Sequence, residues 1–371
     1  MIAIKAPLLY RNESALLEQK GLLEDWEGRI AVIISGNTAW DLVSSQLASR
    51  LGEAHIPFSK LSFKGYCTQE KIGRYTLEAE RLDPSFLIGI GGGSVLDLTK
   101  AVGDKLGLPV LAIPTVAATC AAWSALAVLY DDAGRSAGYL PLSRSPELVL
   151  ADARVLAQAP RRYLASGIAD TIVKWHEHGV NAPAGRQPGL DLQLSLHAAR
   201  LALDLLTSHS ARVYEAVDVL SPPVGEAFSQ TIDAVIVLAG LAGSIHSGVR
   251  RAAFAHAIHD RLTWFPETQG TLHGEKVGFG LLSQLVLEGK ADEAVPLAAL
   301  FRRIGLPVTL EELGFKPSRL KAHQEIASGI QLPEEAEAAL AFDASPVRIA
   351  QAIAGADAIG RTAAANLMTG S

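Results

Sequence analysis

Four short apolar runs punctuate the first third of the chain, and each gives way to a stretch with helical spacing. Arg29 to Ser35 (Arg-Ile-Ala-Val-Ile-Ile-Ser) is apolar without alternation, the mark of a strand buried on both faces of a parallel sheet. It stops at Gly36-Asn37-Thr38, and a helical pattern follows from Ala39 to Leu51. A second strand is predicted over Phe58 to Phe63, then Gly65-Tyr66-Cys67-Thr68, then a helix from Gln69 to Leu82. Phe86 to Ile90 reads as the third strand and Val95 to Leu106 as its helix. Pro109 to Ile113 is the fourth strand, closed by Pro114-Thr115. Strands alternating with helices at this spacing imply a parallel, doubly wound sheet. Ligands of such sheets sit outside the carboxyl ends of the strands, where Gly36, Gly91 to Ser94 and Thr115 would all fall.

Around Ala151 to Pro160 the character changes. After Arg161 the pattern is nearly all helical, interrupted by Gly/Pro-rich loops at Asn181 to Gly189 and Ser221 to Gly225. The predicted division is an α/β domain over residues 1–158 and an all-α domain over 159–371, with no internal repeat.

The third strand runs straight into Gly91-Gly92-Gly93-Ser94. A side-chain-free turn at a helix start lets backbone N–H groups approach a phosphate, and the helix N-terminus adds partial positive charge. The turn is not the dinucleotide fingerprint GxGxxG. Counting from Gly89 or Gly91, the third glycine is replaced by Ser94 or Leu96. By itself it reads equally as a phosphate cradle and as an ordinary strand-to-helix turn.

Three groups in the second half have the chemistry of metal ligands. Asp170 opens an apolar helical stretch, His256 and His259 stand three apart and so on one helical face, and His273 begins His-Gly-Glu-Lys-Val. One carboxylate and two imidazoles hold zinc or ferrous iron and leave a position for a substrate oxygen. The same residues also read as a helix cap, a core histidine and a loop residue, because ligands this far apart form no specific motif.

Composition narrows the partners. The 371 residues suffice for two cores, and 49% hydrophobic content with few aromatics fits an α/β protein. A net charge of −6 without a basic block argues against nucleic acid. Cys67 and Cys120 are too few for a disulfide framework and suit a reducing cytoplasm. No window reads as long and apolar enough to span a membrane, and Met1 to Pro7 lacks a signal-like pattern. The expectation is a cytoplasmic protein acting on a small molecule.

Taken jointly, these pieces resemble a known family. The resemblance rests on Gly91-Gly92-Gly93-Ser94 with Asp97 and Lys100, Ile113 to Thr119, Ser124 to Tyr130, Ala159 to Asp170, His256-Ala257-Ile258-His259 and His273 to Val277. In order and spacing, from about Arg29 to about Leu313, the chain resembles the metal-dependent alcohol dehydrogenases that include glycerol dehydrogenase and the iron-activated enzymes. The resemblance implies an N-terminal dinucleotide domain, a C-terminal helical domain and a metal at the cleft between them. Carried over by position, the metal ligands are Asp170, His256 and His273. Gly92, Gly93 and Ser94 would lie under the pyrophosphate. Gly36, Asp97, Thr115, Ala118, Ser124, Leu126 and Tyr130 would complete the NADP(H) or NAD(H) site, while Lys100 holds the local turn. Family members form dimers or larger rings, so a homo-oligomer is expected.

Three departures sharpen the expectation. Lys174 stands where the iron-activated branch has a histidine, which suits three-ligand zinc, though ligand type does not exclude Fe2+. Gly36 replaces an Asp that would repel a 2′-phosphate, so NADP(H) should be accepted. Cys120 replaces the Asp with which glycerol dehydrogenases bind a polyol, and Thr119 to Ser124 looks like the 2-hydroxycarboxylate dehydrogenase branch. A small neutral group there spares an anionic substrate from repulsion. The leading expectation is a zinc-dependent reductase of small 2-oxo acids, with Cys120, Asp170 and His256 beside the substrate. His259 is a candidate proton relay or support for a ligand. Arg251 and Lys174 are the cations nearest in sequence that could meet a carboxylate. A glycerol or other polyol dehydrogenase is the alternative. A sugar-phosphate cyclase akin to dehydroquinate synthase is a more distant one, lacking here the cationic cluster a substrate phosphate needs.

Overall fold

The computed structural model describes residues 2–182, 187–217, 225–246, 248, 251–319, 321–338 and 340–369. The chain forms two compact units. One comprises Ile4–Arg161 with Val219–Ser244, and the other Met1–Ala3, Arg162–Asp218 and Ile245–Ser371. They are called the sheet unit and the helical unit. The expected division at 158/159 was a single cut, whereas residues 219–244 return to the first unit. Hydrophobic periodicity identifies elements and not their long-range partners, so this return leaves no trace in the pattern.

The sheet unit is built on strands β1 (Leu9–Glu13), β2 (Ala31–Ser35), β3 (Phe58–Ser62), β4 (Phe86–Gly91), β5 (Val110–Pro114) and β8 (Leu148–Asp152). Their order is β1-β8-β5-β4-β2-β3, every pairing parallel. Helices α1 (Asn37–Glu53), α2 (Gln69–Glu80) and α3 (Gly93–Leu106) follow β2, β3 and β4. Alternation along β2 shows why its run is apolar throughout. Ala31 and Ile33 pack with Val43, Leu47 and Leu51 of α1, while Val32 and Ile34 pack with Ile72 and Tyr75 of α2 and Leu98 of α3. The four predicted strands and three predicted helices are all present, within a few residues of the expected ends.

Two strands and a hairpin add to the four. The hairpin pairs β6 (Leu126–Tyr130) with β7 (Ser136–Pro141), antiparallel. Its anchor is a buried ion pair one helical turn long: Lys100 Nζ lies 2.8 Å from Asp97 Oδ1. The ammonium donates to the carbonyls of Ser124 (2.9 Å) and Leu126 (2.6 Å), and Asp97 accepts from Val128 N–H at 3.0 Å.

The segment Glu226–Ser244 corrects one expectation. Over 19 residues its mean hydropathy is 1.4, long and apolar enough to cross a membrane by length and composition. Its apolar content is instead spent on packing. Phe228, Ile232, Val235, Ile236 and Ala239 are buried, and a π turn interrupts the helix over Ala234–Leu238. Polar groups tie it to β1: Asp233 accepts from Tyr10 Oη and Asn12 Nδ2, both at 2.8 Å, and Gly240 lies flush against the Trp123 ring.

The helical unit contains α4 (Arg161–Gly179), α5 (Leu190–Val217), α6 (Phe254–Leu262), α7 (His273–Leu287), α8 (Ala291–Arg303) and α9 (Pro346–Thr369). Helix α7 is its axis, buried almost without a break from Gly274 to Leu285. Two glycines let neighbours touch its backbone. A Cβ at Gly274 would overlap the Ser166 carbonyl of α4, and one at Gly280 would stand 2.5 Å from the Ala255 carbonyl of α6. Of the Gly/Pro-rich loops predicted at 181–189 and 221–225, residues 183–186 and 221–224 lie outside the described residues.

Candidate active site

Because α4 and α6 both press against α7, side chains far apart in sequence converge. Asp170 from α4, His256 from α6 and His273 at the first residue of α7 place one ligand atom each within 4.8 Å of the others. The Asp170 Oδ1 atom lies 3.2 Å from His256 Nε2 and 3.3 Å from His273 Nε2. Donors around a tetrahedral centre with bonds of about 2.1 Å stand roughly 3.4 Å apart. The two measured separations match that spacing.

Hydrogen bonds behind the imidazoles decide which nitrogen faces the shared point. His256 Nδ1–H donates to Glu177 Oε2 at 2.8 Å, and the His256 backbone N–H donates to Glu177 Oε1 at 2.9 Å. His259 Nδ1–H donates to Asp260 at 3.1 Å, so His259 Nε2 accepts from His273 Nδ1–H at 3.0 Å. Both rings thereby turn Nε2 toward Asp170, the tautomer a metal requires. Glu177 sits seven residues after Asp170, on the same stripe of α4.

The electrostatics fit a cation. Burial alone would raise the Asp170 pKa, but Lys174 and the bonds from His256 and His273 hold it well below the ordinary carboxylate range. Burial works against a charged His256 too, yet Glu177 and Asp170 hold its pKa up at about 9, so a proton and a metal compete for its Nε2. Burial, with His273 beside it, pushes His259 down to about 3 and keeps it neutral. One anionic oxygen facing two imidazole nitrogens, once the proton on His256 Nε2 is displaced, is a donor set for a divalent ion of the zinc or ferrous type.

In the sheet unit the expected cofactor residues gather on one edge. Strands β2, β4 and β5 are neighbours whose register aligns Ser35 with Ile90 and Gly91 with Pro114. Gly36, the 91–94 turn and Thr115 therefore share the carboxyl edge, at the point where the chain order of the strands reverses. Gly91 adopts φ +149°, with Val95 Cγ2 3.1 Å from where a Cβ would stand, so only glycine serves there. Gly92 precedes α3, and no side chain caps its first turn. Ser94, Ala118, Ser124, Leu126 and Tyr130 are each half-buried. Asp97, expected among the cofactor contacts, is buried and holds Lys100 and Val128, so it shapes the edge through its partners.

Other candidates fall apart from the cluster or beside it. Arg251 is committed to Asp191 (2.7 Å) and Ser195 (3.1 Å). Lys174 Nζ stands 3.6 Å from Asp170 Oδ1. Cys120 is half-buried in the sheet unit, and its carbonyl accepts from Trp123 and Ser124 N–H. Sequence reading passed over Glu177 and Asp260. Their signals were present, as an i,i+7 partner on the Asp170 helix and as the neighbour of His259.

Comparison with known proteins supplies the frame for this geometry. Residues 7–153 match the family described as iron-containing alcohol dehydrogenase. Hydroxycarboxylate dehydrogenase A of Escherichia coli (strain K12) is 36% identical over 284 residues, covering 76% of this chain and 77% of that protein. Glycerol dehydrogenase of Pseudomonas putida is 33% identical over 337 residues, covering 88% and 89%. The crystal structure of glycerol dehydrogenase from Schizosaccharomyces pombe superposes with a TM-score of 0.85 at 26% identity, over 99% of this chain and 92% of that one. Proteins of this family imply a nicotinamide dinucleotide and a metal ion. Shared over most of its length with dehydrogenases of two substrate types, the chain belongs to the iron-containing alcohol dehydrogenase family and is an oxidoreductase acting on alcohol groups and their carbonyl counterparts.

Proposed function

We propose that this enzyme interconverts small 2-oxo and 2-hydroxy carboxylic acids, with zinc as its metal and NADP(H) accepted as its dinucleotide. The observation that carries the substrate class is Cys120, a neutral group in a segment, Thr119 to Ser124, that resembles the 2-hydroxycarboxylate branch. Likeness to hydroxycarboxylate dehydrogenase A supports it. Asp170, His256 and His273 would hold the cation. Glu177 orients His256, and the Asp260–His259 pair orients His273, each by fixing the ring proton on Nδ1. His259 serves as an orienting group, because its Nδ1–H is held by Asp260 and its Nε2 accepts from His273 Nδ1–H. When bound, the metal polarises the substrate carbonyl and the nicotinamide supplies or accepts the hydride.

The dinucleotide preference rests on Gly36. Its φ of −74° suits any residue, and a Cβ there would meet only the Phe63 carbonyl, at 3.6 Å. No local backbone constraint demands glycine, so the absent carboxylate is free to serve selectivity. A cytoplasmic homo-oligomer acting on a small molecule, with neither nucleic acid nor membrane as partner, completes the proposal.

A second reading, a glycerol or other polyol dehydrogenase, is favoured by the Pseudomonas putida relative. The test is a substrate panel on zinc-loaded enzyme: 2-oxobutyrate and 2-oxoglutarate reduction against glycerol oxidation, with both dinucleotides. The proposal expects kcat/KM for a 2-oxo acid to exceed that for glycerol at least tenfold, with NADPH used. Introducing Gly36→Asp should cut NADPH efficiency by roughly tenfold or more while sparing NADH. Preference for glycerol would hand the assignment to the polyol reading.

A further inference from the structure

The residues bordering Gly36 share one electrostatic character. The only neighbour a Cβ at 36 would meet is the Phe63 carbonyl, so the volume left by the missing side chain opens toward the end of β3. Strand register sets this neighbourhood: Ser35 aligns with Ser62, and Phe63 N–H donates to the Ser35 carbonyl at 2.9 Å. From Gly36 to Trp40 and from Phe58 to Tyr66 the chain holds no acid, whereas the second stretch holds Lys60 and Lys64. In a chain of net charge −6 this is a local reversal of sign.

Lys60 is built into that corner. Side chains two apart along a strand share a face, so Lys60 and Ser62 stand together, with Ser62 about 6.6 Å nearer the carboxyl edge. Lys60 Nζ reaches in that direction and donates to Ser62 Oγ at 3.2 Å. It also lies 5.5 Å from the centroid of the Trp40 ring, in the first turn of α1. Trp40 packs in turn on Phe58, with ring centroids 6.0 Å apart. Both partners of the ammonium are neutral. The indole steadies the lysine stem and the hydroxyl draws the charge toward the edge, but neither brings a negative charge. Ser62 is exposed and Lys60 half-buried, so a ligand on the edge can reach the pair.

We propose that Lys60 and Ser62 form the subsite for the 2′-phosphate of NADP(H), at the corner that Gly36 leaves open. The inference rests on the dinucleotide reading above and assigns its phosphate contacts. In doubly wound sheets an acid beyond a strand end holds the ribose hydroxyl of NAD, and a nearby cation takes the 2′-phosphate of NADP. Here the acid is absent and the cation stands on the adjoining strand. Ammonium and hydroxyl offer one phosphate a charge-assisted donor and a neutral one. NADH presents only a hydroxyl at that point and gains no ionic contact.

The test compares full-length wild-type enzyme with Lys60→Met, Lys60→Arg and Ser62→Ala. Fluorescence titration with NADPH and NADH is paired with calorimetry on 2′,5′-ADP and 5′-AMP, which differ only in the 2′-phosphate. Lys60→Met should weaken NADPH and 2′,5′-ADP roughly 10- to 100-fold, the scale of one charge-assisted hydrogen bond, and leave NADH and 5′-AMP unchanged. Lys60→Arg should recover most of that loss. Ser62→Ala should cost NADPH a smaller factor, about three- to tenfold. Unchanged 2′,5′-ADP affinity in Lys60→Met overturns the proposal. So does equal weakening of NADPH and NADH, which would make Lys60 a support between β3 and α1. Wild-type enzyme that binds 2′,5′-ADP no more tightly than 5′-AMP overturns it too, even if NADPH is turned over. Turnover with NADH alone, in an enzyme that still holds 2′,5′-ADP through Lys60, would sink the dinucleotide reading and leave this subsite standing.

Discussion

The glycine turn of the sheet unit and the acid–imidazole cluster of the helical unit solve opposite problems with opposite materials. Along the sheet edge, the proposed recognition of the dinucleotide's pyrophosphate falls to backbone. Residues adjacent in sequence, with little or no side chain, are aligned by the parallel register of β2, β4 and β5. In the helical unit the proposed metal binding falls to side chains drawn from three helices, with 103 positions separating Asp170 from His273 (273 minus 170). The first site needs an uninterrupted strand and a helix start. The second needs close helix contact and two orienting carboxylates. The lesson is that charge is concentrated where the proposed chemistry lies and absent from the turn where the proposed dinucleotide phosphates would fit.

That contrast can be tested by perturbing each side. The largest effect is expected from Asp170→Asn, which removes the anionic donor while keeping its shape. Zinc content should collapse and kcat/KM should fall on the order of a thousandfold, the scale of several kcal/mol. Full activity with stoichiometric zinc would show that the cluster is not the metal site. Next comes Lys100→Met in the sheet unit. It leaves Asp97 buried without its cation, and the loss of a buried partner costs about 3–5 kcal/mol. Denaturant midpoints should fall accordingly, and dinucleotide affinity with them, because β6 loses its anchor at Ser124 and Leu126. A stable Lys100→Met protein with wild-type dinucleotide affinity would break the link between anchor and edge.

The smallest effect separates the units by pH. Burial, reinforced by Lys290 and Arg251 respectively, pushes His176 and His178 down to about 4. The unfolded chain takes up protons at these residues as pH drops through about 6.5, and the folded chain does so only near 4. Stability of the helical unit should therefore fall over that window, by about 1.4 kcal/mol per pH unit for each imidazole. The sheet unit holds only His55, which is exposed. Hydrogen exchange at pH 5.5 compared with 6.5 should show α4 losing protection while β2 and β4 keep theirs. Parallel loss in both units would remove the distinction.

Legibility in the sequence followed the same divide. Strands β2 and β4 were visible because burial on both faces leaves an apolar run, and Gly91 because its φ admits nothing else. Strand β1, Leu-Tyr-Arg-Asn-Glu, was not, because an edge strand half covered by polar contacts carries no such run. The chemistry of Asp170, His256 and His273 suggested a ligand set, but only family resemblance chose it over a helix cap, a core histidine and a loop residue, since no spacing rule joins residues on separate helices. Glu177 was missed although its helical phase pointed to Asp170. Lys174 was seen as a cation, but its place 3.6 Å from the Asp170 carboxylate is known only from the coordinates.

The return of residues 219–244 to the sheet unit has a bearing on biosynthesis. The ribosome delivers strands β1 to β8 first, then α4 and α5, and only afterwards the apolar helix that Tyr10, Asn12 and Trp123 receive. The sheet unit cannot finish folding as a nascent chain until the first helices of its neighbour have already emerged. In that interval the faces awaiting Phe228 and Ile232 are open to chaperones.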